Sequence, residues 1–249
     1  CLPQRELPME RAHLDELIEL ENRYWWHVAK RKIATDLLRK YVPSPARIVE
    51  GGIGAAGNLL NWKQCGYDVS GLDIMDDSVT HAKSIGINEI YKHDLQQPWP
   101  VAKDSFGGVV LLDVLEHVAD PVKVLEEAAK TLQGTGKIIF TVPAYPFLFS
   151  DWDERLGHYR RYTPAMMRDQ VAAAGLKVEK LRYWNSFTFP AAIFIRTMRR
   201  FFPSRKGTEF PRVGKLTNKA LITAAQIETQ VSNRLGVPFG LSLVGVISK

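Results

Sequence analysis

The chain has 249 residues, of which 45% are hydrophobic and 24% are charged, and its mean hydropathy is −0.15. This composition argues against intrinsic disorder and against a collagen-like or repeat protein, and it allows a substantial buried core. The formal net charge of +6 comes from the segment between Arg196 and Lys219, which holds eight basic residues and one acid, so the sequence predicts a local basic patch.

Helices are the first predicted elements. Apolar residues recur at helical spacing between Leu14 and Leu38, so residues 10–40 are predicted to form one or two amphipathic helices that end before Pro43. A short apolar strand, Ala46–Glu50, follows and runs directly into a glycine-rich turn. The chain therefore places a strand, a flexible turn and a helix in succession.

After this turn, helices and strands alternate with short connections. The predicted helices are Asn58–Cys65, Asp76–Ser84, Pro121–Leu132 and Thr163–Gly175, and the predicted strands are Tyr67–Asp73, Glu89–Tyr91, Gly108–Asp113, Gly136–Val142, Leu176–Tyr183 and Phe239–Ser248. The nearly pure apolar run at Gly108–Asp113 is typical of a central strand with helices on both faces. The pattern predicts an α/β fold with a Rossmann-like, seven-stranded, doubly wound sheet and a ligand site at the carboxyl ends of the strands.

About fifty residues separate the sixth and seventh predicted strands, with helical character at 187–202 and 216–235. This connection is much longer than a hairpin needs, so we expect a helical cap to be inserted there. We expect a single domain made of four segments, which are the N-terminal helices at 1–42, a cofactor-binding core at 43–185, the cap at 186–238 and the last strand at 239–249.

The two cysteines, Cys1 and Cys65, are too few for a disulfide framework or a metal cluster, which fits a reducing compartment and makes the cytoplasm our expectation. The chain begins without a methionine and without a charged and then apolar leader. Its longest apolar stretch, Phe187–Ile195, is about half as long as the roughly 20 residues that a membrane span needs, so no spanning helix is expected.

The glycine-rich turn carries a nucleotide-binding pattern. Gly52, Gly54 and Gly57 match GxGxxG between a predicted strand and a predicted helix, and Asp73 ends the next strand. Glycines let the backbone approach a ligand closely, and the helix that follows offers free N–H groups. A carboxylate at Asp73 can accept hydrogen bonds from both hydroxyls of a ribose. The pattern leaves two cofactors open, a nicotinamide dinucleotide and S-adenosylmethionine (SAM).

Further carboxylates bear on this choice. Glu50, just before the glycines, would repel a pyrophosphate but attracts the ammonium of a methionine moiety, which favours SAM. Asp94, next to Leu95, follows the third strand and can accept from an adenine amino group. The fourth strand ends in an acidic and histidine-containing segment, Asp113-Val114-Leu115-Glu116-His117-Val118.

On these residues the chain resembles the class I SAM-dependent methyltransferases over roughly residues 46–185. Glu50–Gly57 resembles the first motif of that family, and Leu112–Pro121 resembles its fourth-strand motif. The resemblance implies SAM as the cofactor and no metal. It implies this cofactor-binding set: Glu50, Gly52, Gly54, Gly57, Asp73, Ile74, Asp94, Leu95 and Asp113. The family usually has glycine where Ala56 stands and often a small polar residue or cysteine at Ile53, which predicts a slightly tilted loop.

A second resemblance concerns the acceptor. Arg31, the Trp25–Trp26 pair and Gly157–Thr163 resemble an uncharacterised bacterial branch that is associated with the modification of small molecules or glycans. This resemblance implies an acceptor that is a small molecule, a glycan or a lipid-linked molecule, and we expect the methyl group to go to oxygen.

Methyl transfer from a sulfonium is an in-line displacement, so the protein mainly has to position the acceptor and exclude water. A hydroxyl acceptor benefits from a base, whereas a carboxylate acceptor needs none. His158 and His117 are the candidate catalytic residues, since both lie just past strand ends, and we prefer His158.

The segment around His158 also supplies candidate substrate-binding residues. Tyr159, Arg160 and Arg161 are expected to contact the acceptor, because guanidinium groups bind anions through paired hydrogen bonds. Trp25 and Trp26 are expected to form an aromatic lid. The alternatives are that the arginines pair with nearby aspartates and that the tryptophans pack in the core.

The segment Phe187–Phe202 has an apolar face and a basic face, which favours contact with lipid or with a hydrophobic substrate, or packing onto the protein's own helices. The basic patch either meets an anionic partner or is a solvated surface; nucleic acid is not expected, because the patch lacks a stacking platform. Two other functions remain open. A nicotinamide-dependent oxidoreductase is disfavoured by Glu50 and by the lack of a recognisable Tyr/Lys pair, and a non-catalytic SAM-binding module is the second. The oligomeric state is left open.

Overall fold

The computed structural model describes residues 11–201, 213–234 and 236–249. Its seven strands form one sheet in the order β3-β2-β1-β4-β5-β7-β6. The strands are β1 (Arg47–Gly51), β2 (Asp68–Asp73), β3 (Ile90–Lys92), β4 (Phe106–Leu112), β5 (Leu132–Pro143), β6 (Lys177–Trp184) and β7 (Ser242–Ser248). Strands β1 to β5 pair in parallel, and β7 pairs antiparallel with both β5 and β6.

Helices connect these strands and cover both faces of the sheet. They are α1 (Arg11–Leu20), α2 (Trp25–Tyr41), α3 (Gly57–Gln64), α4 (Asp76–Ser84), α5 (Pro121–Thr131), α6 (Asp151–Arg155), α7 (Pro164–Ala173), α8 (Phe189–Phe201) and α9 (Lys215–Arg234), with a short 3₁₀ turn at Pro146–Leu148. The α/β fold, the seven-stranded doubly wound sheet and the helical insertion between the sixth and seventh strands are confirmed. The four predicted segment boundaries stay a prediction.

Strand β1 shows why helices are needed on both faces. Its neighbouring residues Ile48 and Val49 are both fully buried, and because alternate side chains of a strand point to opposite faces, they enter different core layers. Ile48 packs in the layer that contains Leu59 and Trp62 of α3, and Val49 packs in the layer that contains Leu125 of α5. Burial on both faces explains the nearly continuous apolar runs of the central strands.

The sheet order fixes the position of the ligand site. The chain leaves β1 toward β2 on one side, and β4 pairs with β1 on the other side, with Glu50 opposite Val110. This is the reversal of strand order at which open α/β sheets form a crevice. The carboxyl ends of β1, β2 and β4 meet there, so Glu50, Asp73 and Asp113 are brought to one edge of the sheet.

Two helices begin as the sequence predicts. The Asp120 side chain accepts hydrogen bonds from the backbone N–H groups of Val122 and Lys123 at the start of α5, and Thr163 accepts one from Met166 at the start of α7. Each cap residue is followed by a proline, which suits the first helical position because it needs no N–H partner there.

The structure differs at three places from the elements predicted from the sequence. Helix α6 was not predicted, because five residues are too few to show a helical period, although Ser150 and Asp153 form a capping box there. Strand β5 begins four residues earlier than predicted, at Leu132, through an irregular pairing with β4. Strand β7 begins three residues later than predicted, at Ser242, and Gly240 before it lies so close to the backbone of Trp184 that an added Cβ would collide with it.

The cap is attached to the N-terminal helices by polar contacts. Asn218 of α9 accepts from the backbone N–H of Trp25 at 2.8 Å and donates to the carbonyl of Arg23 at 2.7 Å. Further along α9, Glu228 accepts from the backbone N–H of Ser186, which follows β6. Helix α9 therefore lies between α2 and the edge of the sheet.

Candidate functional site

The glycine-rich loop between β1 and α3 adopts a backbone conformation that glycine favours. Gly52 and Gly54 have φ values of 72° and 53°, in the left-handed region. The loop is tied to β2, since Gly52 N–H donates to the Leu72 carbonyl at 2.8 Å and Gly54 N–H donates to Asp73 Oδ2 at 3.1 Å. The loop is thus held in place beside the carboxylate of Asp73.

Ala56 also lies in the left-handed region, with a φ of 61°. An L-residue with a Cβ atom pays about 1 kcal/mol or more for this conformation, which glycine adopts readily. This positive φ explains why glycine is the expected residue at this position and why alanine here is unusual. Ala56 is fully buried, so the surrounding core holds it in this conformation.

Glu50 is placed at the end of β1 with one oxygen unsatisfied. Its Oε1 accepts from Asn58 Nδ2 at 2.8 Å, whereas its buried Oε2 has no hydrogen-bond partner within the described parts of the chain. Burial raises the pKa of Glu50 to about 8, although the hydrogen bond from Asn58 acts to lower it. A buried, unpaired carboxylate oxygen at this edge fits a cationic ligand group such as the ammonium of SAM.

Asp73 ends β2 and is 5% exposed. Its oxygens accept from the N–H groups of Met75 and Gly54, and its pKa is raised by burial, although these hydrogen bonds act to lower it. This carboxylate lies beside the glycine-rich loop, where a ribose hydroxyl could donate to it. Ile74 beside it is 61% exposed, so its side chain is open to an adenine ring.

The predicted adenine-side pair follows β3. Asp94 is half-buried, and its Oδ1 accepts from the backbone N–H of Gln96 at 2.9 Å. Leu95 is buried against Gly51, where an added Cβ would lie 3.1 Å from the leucine methyl groups. This contact places the pair next to the glycine loop, and its role in cofactor binding stays a prediction.

Replacing Asp73 by alanine is expected to weaken SAM binding by about 1.5 to 3 kcal/mol, as for the loss of hydrogen bonds to a charged group. The variant also loses the acceptor for Gly54 N–H, so its thermal stability should be measured with the affinity. Isothermal titration of SAM checks the prediction, and Asp76→Ala in the exposed first turn of α4 is the control. An unchanged affinity would show that Asp73 does not bind the ribose.

Lys30 of α2 is a site residue that the sequence reasoning missed. Its Nζ donates to Asp113 Oδ2 at 2.9 Å, and Thr141 Oγ1 donates to Asp113 Oδ1 at 2.9 Å. Burial acts to raise the pKa of Asp113, but the ammonium of Lys30 and these hydrogen bonds hold it below its ordinary value. Asp113 is therefore an ionised carboxylate at the end of β4.

Glu21 is a second missed residue. It follows α1 and is buried, and its Oε1 accepts from the backbone N–H of Gly57 at 2.7 Å. This places a carboxylate on the N-terminus of α3, where helix N–H groups favour an anion. Arg31 of α2 fixes the segment by donating to the Glu21 carbonyl at 2.6 Å and to Asn58 Oδ1 at 3.1 Å. No sequence pattern links Glu21 to a loop 36 residues later.

A second group of polar residues lies beyond β4 and α6. The Nδ1 atom of His158 is 3.0 Å from Oδ1 of Asp153, which is fully buried and is also 2.7 Å from Nε of Arg161. The rings of His117 and His158 are perpendicular, with centroids 4.6 Å apart. The structure thus brings both predicted catalytic histidines together.

The two predicted arginines have contacts within the protein. Arg160 donates to the carbonyls of Val118 and Ala119, and its guanidinium lies 5.7 Å from the centre of the exposed Tyr159 ring. Arg161 is 6% exposed and pairs with Asp153. These contacts favour aspartate pairing for Arg161 over direct contact with an acceptor, and the substrate roles of Arg160 and Tyr159 stay predictions.

The predicted aromatic lid packs against the cap. Trp25 is buried, with its ring centre 5.8 Å from that of Phe187, and Trp26 stacks on Trp184 of β6 at 5.0 Å. These contacts favour core packing, the alternative that the sequence left open. They also join α2 to the start of the cap.

Much of the predicted basic patch falls outside the described residues, namely Arg205, Lys206, Arg212 and the side chains of Arg196, Arg199 and Arg200. Cys1 also falls outside them, and Cys65 is a free cysteine. Lys215 and Lys219 are exposed on α9. Among the described helices, none has the length and apolar character required to cross a membrane.

Known proteins resemble this chain in sequence and in fold. The family described as "Methyltransferase domain" matches residues 25–181. A ubiquinone biosynthesis O-methyltransferase from Xanthomonas axonopodis pv. citri is 26% identical over 199 residues, which cover 68% of this chain and 82% of that protein.

Two solved structures show the same fold. A SAM-dependent methyltransferase from Mesorhizobium loti has a TM-score of 0.59 and 16% identity, with 87% of this chain and 98% of that chain covered. A chain of the Haloferax volcanii complex that contains the Trm112 methyltransferase activator has a TM-score of 0.62 and 20% identity, with 95% and 94% covered.

Proposed function

Because this chain belongs to the methyltransferase domain family and is a SAM-dependent methyltransferase, we propose that it methylates a hydroxyl oxygen of a small, glycan-like or lipid-linked acceptor. The observation that carries the proposal is the pair of His158 and buried Asp153 at the same sheet edge as Glu50 and Asp113. The relatives named ubiquinone biosynthesis O-methyltransferases support oxygen as the acceptor atom. Membership of this family also favours SAM over a nicotinamide dinucleotide as the cofactor, and therefore a methyltransferase over an oxidoreductase.

SAM supplies an electrophilic methyl group on a sulfonium. In our proposal Glu50 binds its ammonium and Asp73 binds its ribose, so the cofactor is held across the ends of β1 and β2. The backbone N–H groups and positive φ values of the Gly52–Gly57 loop allow close approach. Asp94, Leu95 and Ile74 are the proposed adenine side, and Asp113 positions Lys30 near the methionine end.

The acceptor hydroxyl must lose a proton as its oxygen bonds to the methyl carbon. An ionised carboxylate can only accept, so Nδ1 of His158 carries the hydrogen that faces Asp153, and Nε2 is the ring atom left to act on the acceptor. The ion pair with Arg161 holds the Asp153 carboxylate in place, which fixes the orientation of the His158 ring. We therefore propose that the hydroxyl loses its proton at the centre formed by His117 and His158.

Helix α8 supports a hydrophobic portion of the acceptor. The side chains of Phe194, Ile195 and Met198 on this helix are exposed by 67%, 49% and 41%. An apolar tail can bury such side chains, which favours a lipid-linked or alkylated acceptor over a purely polar one. Contact of this helix with a membrane surface and a cytoplasmic location stay predictions.

The function is tested by mass-spectrometric detection of methyl transfer from SAM to matched phenols and catechols with and without an alkyl tail. We expect methyl ethers to form, with a lower KM for the tailed member of each pair. NADH is the control ligand in titrations and should not bind. SAM binding without any acceptor-dependent product, across carboxylate and amine acceptors as well, would favour the non-catalytic binding module.

A further inference from the structure

Three potential metal ligands meet beyond the end of β4. Glu116 and His117 lie in the connection to α5, and His158 follows α6 about forty residues later, yet one oxygen or ring nitrogen from each lies within 4.8 Å of the others. The two connections are joined by a backbone hydrogen bond of 2.7 Å from Tyr159 N–H to the Glu116 carbonyl. The cluster is therefore built by the fold and not by chance proximity of mobile side chains.

Glu116 contributes a buried carboxylate to this cluster. The residue is 1% exposed, and its Oε2 has no hydrogen-bond partner among the residues that the structure describes. A buried carboxylate oxygen without a donor is costly, and such groups in proteins are paired or bind metals. The Glu116 carboxylate lies beside the imidazoles of His117 and His158, so a cation bound among these three side chains would contact it.

His158 has the second contact that is usual for a metal-binding histidine. One ring nitrogen faces the carboxylate of Asp153 at 3.0 Å, which leaves the other nitrogen for the cluster. Histidines that bind metals generally donate their other N–H to a carboxylate or a carbonyl, which fixes the ring and raises its basicity. Asp153 is itself held by Arg161 and by the backbone N–H of Ser150 at 3.0 Å.

We propose that Glu116, His117 and His158 bind one divalent first-row metal ion, such as Mn²⁺ or Zn²⁺, next to the methyl acceptor. One carboxylate and two imidazoles suit these ions and leave coordination positions open. Around a tetrahedral ion with bonds of about 2.1 Å, ligand atoms lie about 3.4 Å apart, so ligand atoms as much as 4.8 Å apart would each have to move inward by about 1 Å. The sequence had predicted no metal, because in-line methyl transfer does not require one, and nothing in the sequence relates His158 to Glu116 and His117.

This inference rests on the proposed function and assigns Nε2 of His158 to the ion, so that the ion, in place of the free ring nitrogen, promotes loss of the acceptor proton. An acceptor hydroxyl bound at an open position of the ion becomes more acidic. The O–H bond breaks and its proton goes to water, while the oxygen electron pair forms the bond to the methyl carbon. The S–CH₃ bond breaks with its electron pair on sulfur, so the products are a methyl ether, S-adenosylhomocysteine and a proton.

Direct binding of Mn²⁺ tests the site without reference to activity. The full chain is freed of metal by a chelator and titrated with Mn²⁺, and unbound Mn²⁺ is followed by electron paramagnetic resonance. We expect one ion per chain, with affinity at least tenfold lower in both Glu116→Gln and His117→Ala. Glu126→Gln, an exposed change on α5, is the matched control and should bind as the wild type does.

The same samples separate this inference from the proposed function. SAM titration and a thermal melt show whether each variant is folded, and we expect SAM affinity to stay within about twofold. Failure of the folded wild type to bind either Mn²⁺ or Zn²⁺ overturns the metal site. So does methyl transfer that is insensitive to the chelator. Failure of the wild type to methylate any acceptor, with Mn²⁺ bound at this site, overturns the proposed function and leaves the metal site supported.

Discussion

Replacing Glu50 by glutamine is expected to weaken SAM binding by about 2 to 3 kcal/mol while stabilising the ligand-free protein at neutral and alkaline pH. The affinity falls because glutamine keeps the shape of the side chain but loses the charge that attracts the ammonium. The stability rises because a buried carboxylate is costly to ionise, and glutamine cannot ionise. The two effects have opposite signs, which makes the prediction specific.

The pH dependence follows from the raised pKa of Glu50, about 8 in the folded protein against an ordinary value of 4.5. For a carboxyl group whose pKa rises on folding, the folded state binds more protons than the unfolded state between these values. The stability from this group is therefore fully present below pH 4.5 and is lost as the pH rises to 8, at up to about 1.4 kcal/mol per pH unit. The Glu50→Gln variant should lack this loss.

Chemical unfolding between pH 5.5 and 8.5 measures the stability difference, and titration in buffers of different ionisation enthalpy measures protons. Near pH 7 the wild type should release about one proton when SAM binds, because the ammonium needs the ionised carboxylate. Glu126→Gln serves as the control for a change of charge on the surface. Equal SAM affinities and equal pH slopes in the Glu50→Gln variant and the wild type would contradict the assignment.

Replacing His158 by alanine is expected to lower kcat by roughly 10² to 10³-fold while SAM affinity stays within about twofold. A side chain that removes a proton in the transition state, directly or through a bound ion, contributes a factor of this size. SAM affinity is retained because the proposed cofactor contacts lie at the ends of β1 and β2, on other residues.

Single-turnover methyl transfer measures the chemical step, and equilibrium titration measures SAM binding. His81→Ala on α4, away from the ends of the strands, is the matched control. Asp153→Asn should also lower kcat, because an amide can hold the ring in the wrong tautomer. Normal turnover by the His158→Ala variant would remove the residue from the mechanism, and a carboxylate acceptor would then be the better candidate.

The sheet and its covering helices could be predicted because their signals are local. The apolar run at Gly108–Asp113, the proline that opens the predicted helix Pro121–Leu132 and the helix start at Thr163 each depend on a few neighbouring residues, and the structure places β4, α5 and α7 there. Helix α6 was missed because five residues are too few to show a helical period, although Ser150 and Asp153 form a local capping box.

The positions of the proposed cofactor residues could be predicted for a related reason, and their role in binding SAM stays a prediction. Glu50, Gly52 and Asp73 lie at strand ends, and a parallel sheet brings such ends together whatever the loops do. Lys30 and Glu21 were missed because their partners, Asp113 and Gly57, are distant in sequence and their helices give no sign of which edge they cover. Long-range pairing of single polar residues leaves no period in the sequence.

The position of β7 has a consequence for how this protein can change during evolution. Trp184 at the end of β6 lies opposite Ser242 at the start of β7, so both ends of the intervening segment are fixed by one antiparallel pair. A segment closed in this way can be lengthened, shortened or exchanged without altering the strand register beneath it. In the proposed function this insertion contacts the acceptor, so changes in its length or sequence would alter acceptor preference while the strands that carry Glu50 and Asp73 stay the same.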